Sequence, residues 1–442
     1  MSKIKSFSGA FAAIKSVKPL KFRGRVTQVK GQIVESQGPF VEVGTTVSIK
    51  SSGKARTKAQ VIGFSDDRYI LLPFEESLGI QSGFIVEAYE KTDSCFVSRN
   101  LLGRVVNSFG EPIDGKGEIV TDESVALYNT APKPLERKMI TEVFETRIKA
   151  IDIFLTAGKG QRIGIFASAG LGKSTLLGML TRFSKASVNV VCLIGERGRE
   201  VKEFLERDLV DGLERSVVVV STADENPLKR VRAAFLALRY AEYFRELGED
   251  VLFVCDSLTR LAQSLREIGF ALGELPSQRG YPTSVFQTLA KYLERLGNSN
   301  SSGSLTSFLS ILVEGDDIDE PVSDNVKAIL DGHIILTREL ANKNHFPAID
   351  ILKSISRVAP NLQNETEKKV CMVVKNLLSH FEEYKDMVAI GAYKPGSDQL
   401  LDLALQLIEP ISLFLQQTPE QACQKDEAIK DLLKVLKASS KV

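Results

Sequence analysis

No apolar run approaches the roughly 18 residues that a membrane-spanning helix needs, so nothing in the 442-residue sequence predicts a span. No apolar leader with a cleavage site is evident either, and a secretory signal is not expected. Cysteine is sparse: five residues, at 95, 192, 255, 371 and 423, scattered and odd in number. That pattern excludes a disulfide framework and predicts reduced thiols in a cytosol, with Cys192 and Cys255 inside core strands. There are three histidines and no Cys/His spacing of a zinc site, so His333 and His345, near strand or turn boundaries, read as structural. Net charge is nearly absent as well, with 57 basic against 56 acidic residues. With 43% hydrophobic residues, this is the composition of an ordinary globular protein long enough for about three domains, and not of a disordered chain.

The balanced total conceals an asymmetry. Residues 1–60 carry twelve Lys/Arg against two acids, Glu35 and Glu42. Within them Ile4, Phe7, Phe11 and Ile14 recur at helical spacing, with Lys3, Lys5, Lys15 and Lys18 elsewhere on the wheel. A basic amphipathic helix suits a partner's groove or an anionic membrane surface; the bland alternative is a solvated, frayed terminus. From Arg25 to Tyr89, short runs (VTQV, QIVES, FVEVG, VSIK, AQVIGF, YILLPF, FIVEAY) alternate with Gly, Ser and Pro, predicting a small β-barrel.

The chemistry is announced at Ile163–Thr175, IGIFASAGLGKST. An apolar strand breaks into a glycine-containing turn ending Gly172-Lys173-Ser174, and Leu176, Leu177 and Leu180 give the next segment a helical apolar face. In a P-loop such a turn aims backbone N–H groups inward and, with the dipole of the next helix, holds nucleotide phosphates. Lys173 would reach the β- and γ-phosphates, and the Ser174 hydroxyl would ligate Mg²⁺. The strict pattern fails at its first position, which is Ala167. Two further strands supply acids. Val251–Cys255 is continuously apolar, as expected of a parallel strand covered on both faces, and ends in Asp256, placed to help hold Mg²⁺. Val188–Ile194 runs into Gly195-Glu196-Arg197, making Glu196 a candidate base for the attacking water. Three such strand ends in one α/β block point to a ligand beyond the carboxyl ends of a parallel sheet.

Longer stretches carry the same pattern further: LIGERGREVKEFLE (193–206), DSLTRLAQSLREIGFALGELPSQRGYPTSVF (256–286), GSLTSFLSILVEGDDIDEPVSDNVKAILDGHIILTREL (303–340) and HFPAIDILKSISRV (345–358). They resemble the ATPases of bacterial type III secretion, injectisome and flagellar, which are relatives of the catalytic subunit of the rotary ATP synthase. The resemblance covers residues 95–360 strongly and the flanks more loosely. It implies an α/β fold: a RecA-like P-loop domain over 94–370, an N-terminal β-barrel over 23–93 after the basic segment 1–22, and a helical C-terminal domain over 371–442.

Carried residue by residue, the resemblance implies ATP and Mg²⁺ as cofactors. Ala169, Gly170, Leu171, Gly172, Lys173, Ser174 and Thr175 would cradle phosphate, with Ser174 and Asp256 at the metal and Glu196 as the catalytic glutamate. Arg197 and Arg260 match positions beside the γ-phosphate, and Arg357 matches the arginine finger inserted from a neighbouring subunit. Phe346 matches the aromatic that stacks on adenine, with Tyr393 as a second wall. Departures from the family pattern are Ala167 and Ser168 in the loop and Leu275 and Thr283 near Gly280-Tyr281-Pro282. Without the resemblance, Arg357 would read as a solvated surface residue and Phe346 as packing.

Glu196 and Arg357 occur in one chain, whereas the heteromeric rotary enzymes split these roles between chains. A homohexamer is therefore expected to be self-sufficient. The resemblance further implies a stator-like regulator at the N-terminus, a central stalk protein, chaperone–cargo complexes and an export gate. The expected place is cytoplasmic, peripheral at the inner membrane's cytoplasmic face. No nucleic-acid partner is expected. An RNA translocase would combine basic patches with aromatics that this sequence does not show; a rotary synthase subunit would need a second homologous chain; and a non-catalytic ring member would not carry Lys173, Glu196 and Arg357 together. Gly297–Ser304 (GNSNSSGS) reads as a flexible loop inside the nucleotide domain. Thr418-Pro419-Glu420-Gln421 reads as a capping-box start for the last helix.

Overall fold

The computed structural model describes residues 22–50, 56–88, 94–313 and 320–438. The helix expected from Ile4 to Ile14 lies outside the described residues. Two units are distinguished.

In the first unit, β1 (Arg23–Lys30), β2 (Ile33–Gln37), β3 (Thr46–Lys50), β4 (Thr57–Ser65), β5 (Arg68–Pro73) and β6 (Ile85–Ala88) close into an antiparallel barrel, ordered β1-β2-β5-β4-β3-β6. Alternate residues point inward, and Val26, Val34, Val47, Ile49, Ala59, Val61, Leu71 and Val86 fill the centre. Six of the seven expected runs are strands. FVEVG is not, because it lies between Gly38 and Gly44, both at positive φ, and finds no partner strand among the described residues. Phe40 and Val43 are left outside, with Phe40 78% exposed, while Val41 packs against the barrel core.

The second unit is built on an eight-stranded sheet. It comprises β8 (Arg104–Val106), β10 (Arg162–Ala167), β11 (Val188–Ile194), β12 (Ser216–Ser221), β13 (Asp250–Asp256), β14 (Ser304–Leu312), β15 (Gly332–Ile335) and β16 (Ile355–Ser356). The order is β16-β15-β10-β14-β13-β11-β12-β8, all parallel except β16, which runs antiparallel to β15 at one edge. A separate ribbon pairs β7 (Ser94–Val97) with β9 (Glu123–Ala126). The continuous apolar runs have a direct cause, since successive residues feed two cores. On β11, Val190, Cys192 and Ile194 face one and Val191 and Leu193 the other, as Val251, Phe253 and Cys255 oppose Leu252 and Val254 on β13.

Helices cover both faces. On the side of Cys192, the helix Pro227–Glu246 packs beside Thr283–Arg295, and a buried ion cluster joins them. Arg295 donates to both oxygens of Glu242, at 2.7 and 2.8 Å, while Arg239 approaches the same carboxylate at 3.4 Å. Only 1% of the Glu242 side chain is exposed. The loop 297–304 is held by Arg245, which donates to Gly297 O, and by Asn298, which donates to Lys159 O. The C-terminal helices are Glu365–Ala389, Gln399–Leu415 and Lys425–Ala438, and the first runs across the expected boundary at 370. The last begins seven residues beyond Thr418, where Thr418 and Gln421 instead form a closed turn. The reciprocal capping box lies at Asn364 and Glu367.

At the other edge of the sheet, Arg104 on β8 grips Asp114 with two hydrogen bonds, and the N–H groups of Val105 and Lys116 donate to the same carboxylate. The guanidinium hydrogen bonds hold the Asp114 carboxyl well below its ordinary value. A folded-state value below the unfolded one adds stability above the unfolded pKa of about 3.9, and that stability is lost as pH falls through the folded value. Asp114→Asn is therefore expected to lower unfolding free energy by about 2 kcal/mol at pH 7. The gap should begin to narrow only below about pH 4 and shrink steadily as pH falls toward the folded-state value, in urea titrations followed by circular dichroism. A gap that persists unchanged into acid would contradict this account.

Candidate active site

Three strand ends build the site. After β10 the chain turns through Ser168–Gly172 into the helix Lys173–Phe183, with Gly170 and Gly172 at φ 82° and 80°. No side chain among the described residues caps this helix, which leaves its first N–H groups and its dipole available to an anion. Ala169, Gly170 and Ser174 are exposed, Gly172, Lys173 and Thr175 half-buried, and Leu171 is inside. Gly172 is required by its left-handed φ, and it lies against the Phe346 ring, which a Cβ there would meet at 3.4 Å, ordinary van der Waals contact.

Lys173 Nζ pairs with Asp256 Oδ1 and lies 4.0 Å from Glu196 Oε1. Asp256 closes β13 level with Leu193 and accepts a second hydrogen bond from Ser310 Oγ at 2.6 Å. Ser310, on the intervening strand β14, has no mark in the sequence, because a serine inside an apolar strand carries no signal until the pairing is known. Glu196 leaves β11 just past Gly195. Burial, and after it the Asp256 charge, pushes its carboxyl up to about 7, with Lys173 acting in opposition. Its Oε1 is buried and has no hydrogen-bond partner among the described residues, leaving an acceptor free for a water proton.

Arg260 approaches from the helix Leu258–Ala271. A Cβ on Gly195, whose φ is 69°, would come within 2.9 Å of it. Its guanidinium donates to Gln263, and its Nε is buried with no partner among the described residues. Arg197 is not brought in: its side chain is 84% exposed and meets Glu200 at 4.0 Å. Phe346 is 38% exposed beside the phosphate loop. Tyr393 is not joined to it by any ring contact among the described residues; its hydroxyl donates to Asp398 O and to Asp402. Arg357 follows β16 at the sheet edge, exposed, with its guanidinium in no ion pair among the described residues.

The donors suit a nucleotide with Mg²⁺. A hydroxyl at a helix start and a carboxylate at a neighbouring strand end are hard oxygen ligands, and the orphan acceptor on Glu196 lies close by. Ser174 and Asp256 would hold the ion, which when bound supplies charge neutralisation at the β- and γ-phosphoryl oxygens.

Fold and site together define a P-loop ATPase, and the chain belongs to the ATP synthase alpha/beta family. The nucleotide-binding domain model of that family matches residues 147–356, its beta-barrel domain model 26–89, and the T3SS EscN ATPase C-terminal domain model 364–434. Within the family the chain is a relative of the type III export enzymes. It is 44% identical to the flagellum-specific ATP synthase of Bacillus subtilis, covering 92% of this chain and 93% of that one. It is 43% identical to the type 3 secretion system ATPase of Xanthomonas euvesicatoria, covering 90% of each. The assembled ATPase EscN of enteropathogenic E. coli superposes with a TM-score of 0.89 at 39% identity, over 93% of this chain and all of the other. A second EscN structure, in complex with its central stalk EscO, gives 0.87.

Proposed function

We propose that this chain is the Mg²⁺-dependent ATPase of a type III protein export apparatus, acting as a ring of six identical copies that releases chaperones and unfolds cargo. One observation carries the ring: Lys173, Glu196 and Asp256 converge, while the Arg357 guanidinium stands exposed at the sheet edge with no ion-pair partner among the described residues. Each pocket then takes Lys173, Glu196 and Asp256 from one copy and Arg357 from the next. Lys173 and the loop N–H groups bind phosphate, and Glu196 orients water and accepts its proton. Arg260 and the neighbour's Arg357 balance charge developing on the γ-phosphoryl group. Phe346 faces the adenine and Tyr393 supplies a second wall.

The assembled EscN, and its complex with a central stalk, support self-association and a stalk partner. The remaining partners rest on the resemblance: a stator-like regulator on the basic N-terminus, chaperone–cargo complexes, an export gate, and a place at the cytoplasmic face of the inner membrane. Specific ATPase activity is expected to rise with protein concentration, because a dissociated copy lacks its finger. A dilution series of purified protein with constant specific activity across the assembly transition seen by light scattering would rule out the shared pocket.

A further inference from the structure

The Phe346 segment is held from the C-terminal helices. The ring of His345, 4% exposed, shares a hydrogen bond with Ser412 Oγ at 3.0 Å, and Phe346 O accepts from Gln417 N at 3.0 Å. Gln417 is itself 4% exposed, and both ends of its amide are engaged. Its Oε1 accepts from Lys149 N, while Nε2 donates to Arg147 O and Gln421 O. Lys149 Nζ reaches Phe414 O and Gln416 O, at the carboxyl end of the helix Gln399–Leu415. The segment after this helix is thus pinned to residues 147–149, and through its backbone it grips the residue next to the phosphate loop.

We propose that Gln417 and Ser412 are positioning residues for nucleotide binding: they fix the Phe346 ring at the distance from Gly172 where it meets the base. The inference rests on the reading of Phe346 as the base-facing aromatic. Neither side chain bonds to the phosphate loop among the described residues, so their influence is confined to the part of the ligand that the ring contacts. A buried amide with three hydrogen bonds holds its backbone in one place, and releasing it gives the Phe346 loop freedom that must be lost again on binding.

The test uses the full-length chain at concentrations where activity is saturated. Gln417→Ala and Ser412→Ala are each expected to raise KM for ATP about 5- to 10-fold with kcat within about two-fold. The inhibition constant of inorganic tripolyphosphate, a base-free probe, should stay unchanged. Phe346→Ala should show the same pattern more strongly. If Phe346→Ala leaves KM for ATP unaltered, the reading of Phe346 fails and the inference with it. If Phe346→Ala raises KM while both other variants match the parent, the positioning role alone is refuted. Parallel loss of ATP and tripolyphosphate affinity would mark a general structural defect and also overturn it. Should Gln417→Ala not fold, Ser412→Ala decides, being half-buried and losing a single hydroxyl.

Discussion

Arg357→Ala is expected to lower ATP turnover by about 10³- to 10⁵-fold, a barrier increase of roughly 4 to 7 kcal/mol, with nucleotide affinity within a few-fold of the parent. The guanidinium has no ion-pair partner among the described residues of its own chain. Its removal therefore leaves no charge stranded, and the loss falls on the transition state. Arg357→Lys should recover little, because a point charge cannot reproduce the planar fork. Single-turnover hydrolysis and equilibrium binding of a non-hydrolysable analogue separate the two quantities. A variant that binds poorly but hydrolyses what it binds at the parent rate would remove Arg357 from the chemistry.

The largest expected effect on stability lies away from the site. Glu242→Ala should cost about 3 to 5 kcal/mol, because it strands the Arg295 guanidinium in a core where only 4% of that side chain is exposed. Arg239 would lose one partner and keep Glu246, so its share is smaller. Replacing Glu242 and Arg295 together by leucine should restore most of the loss, since the desolvation penalty then disappears from both partners. Chemical denaturation followed by circular dichroism reads both variants. A Glu242→Ala protein within about 1 kcal/mol of the parent would show that the cluster is not a stabilising unit.

The features legible in the sequence and those hidden in it divide by the range of the interactions involved. Strands β10, β11 and β13 are legible because parallel strands with two covered faces must be apolar throughout, and the loop, Glu196 and Asp256 come at their ends. FVEVG misleads because apolar residues also occupy loops, and only a partner strand makes a strand. The pattern at Thr418 closes a turn, whereas the working capping box at Asn364 offers the same spacing with different residue types. Ser310, Gln417 and Ser412 are invisible in the sequence, since each acts on a residue more than fifty positions away.

The Lys173–Asp256 pair has a thermodynamic corollary. A lysine already neutralised by its own aspartate does not behave as an open cationic trap, so an arriving triphosphate exchanges one counter-anion for another. The net electrostatic gain is smaller than a free ammonium group would give, and a single orthophosphate has little to offer in the trade.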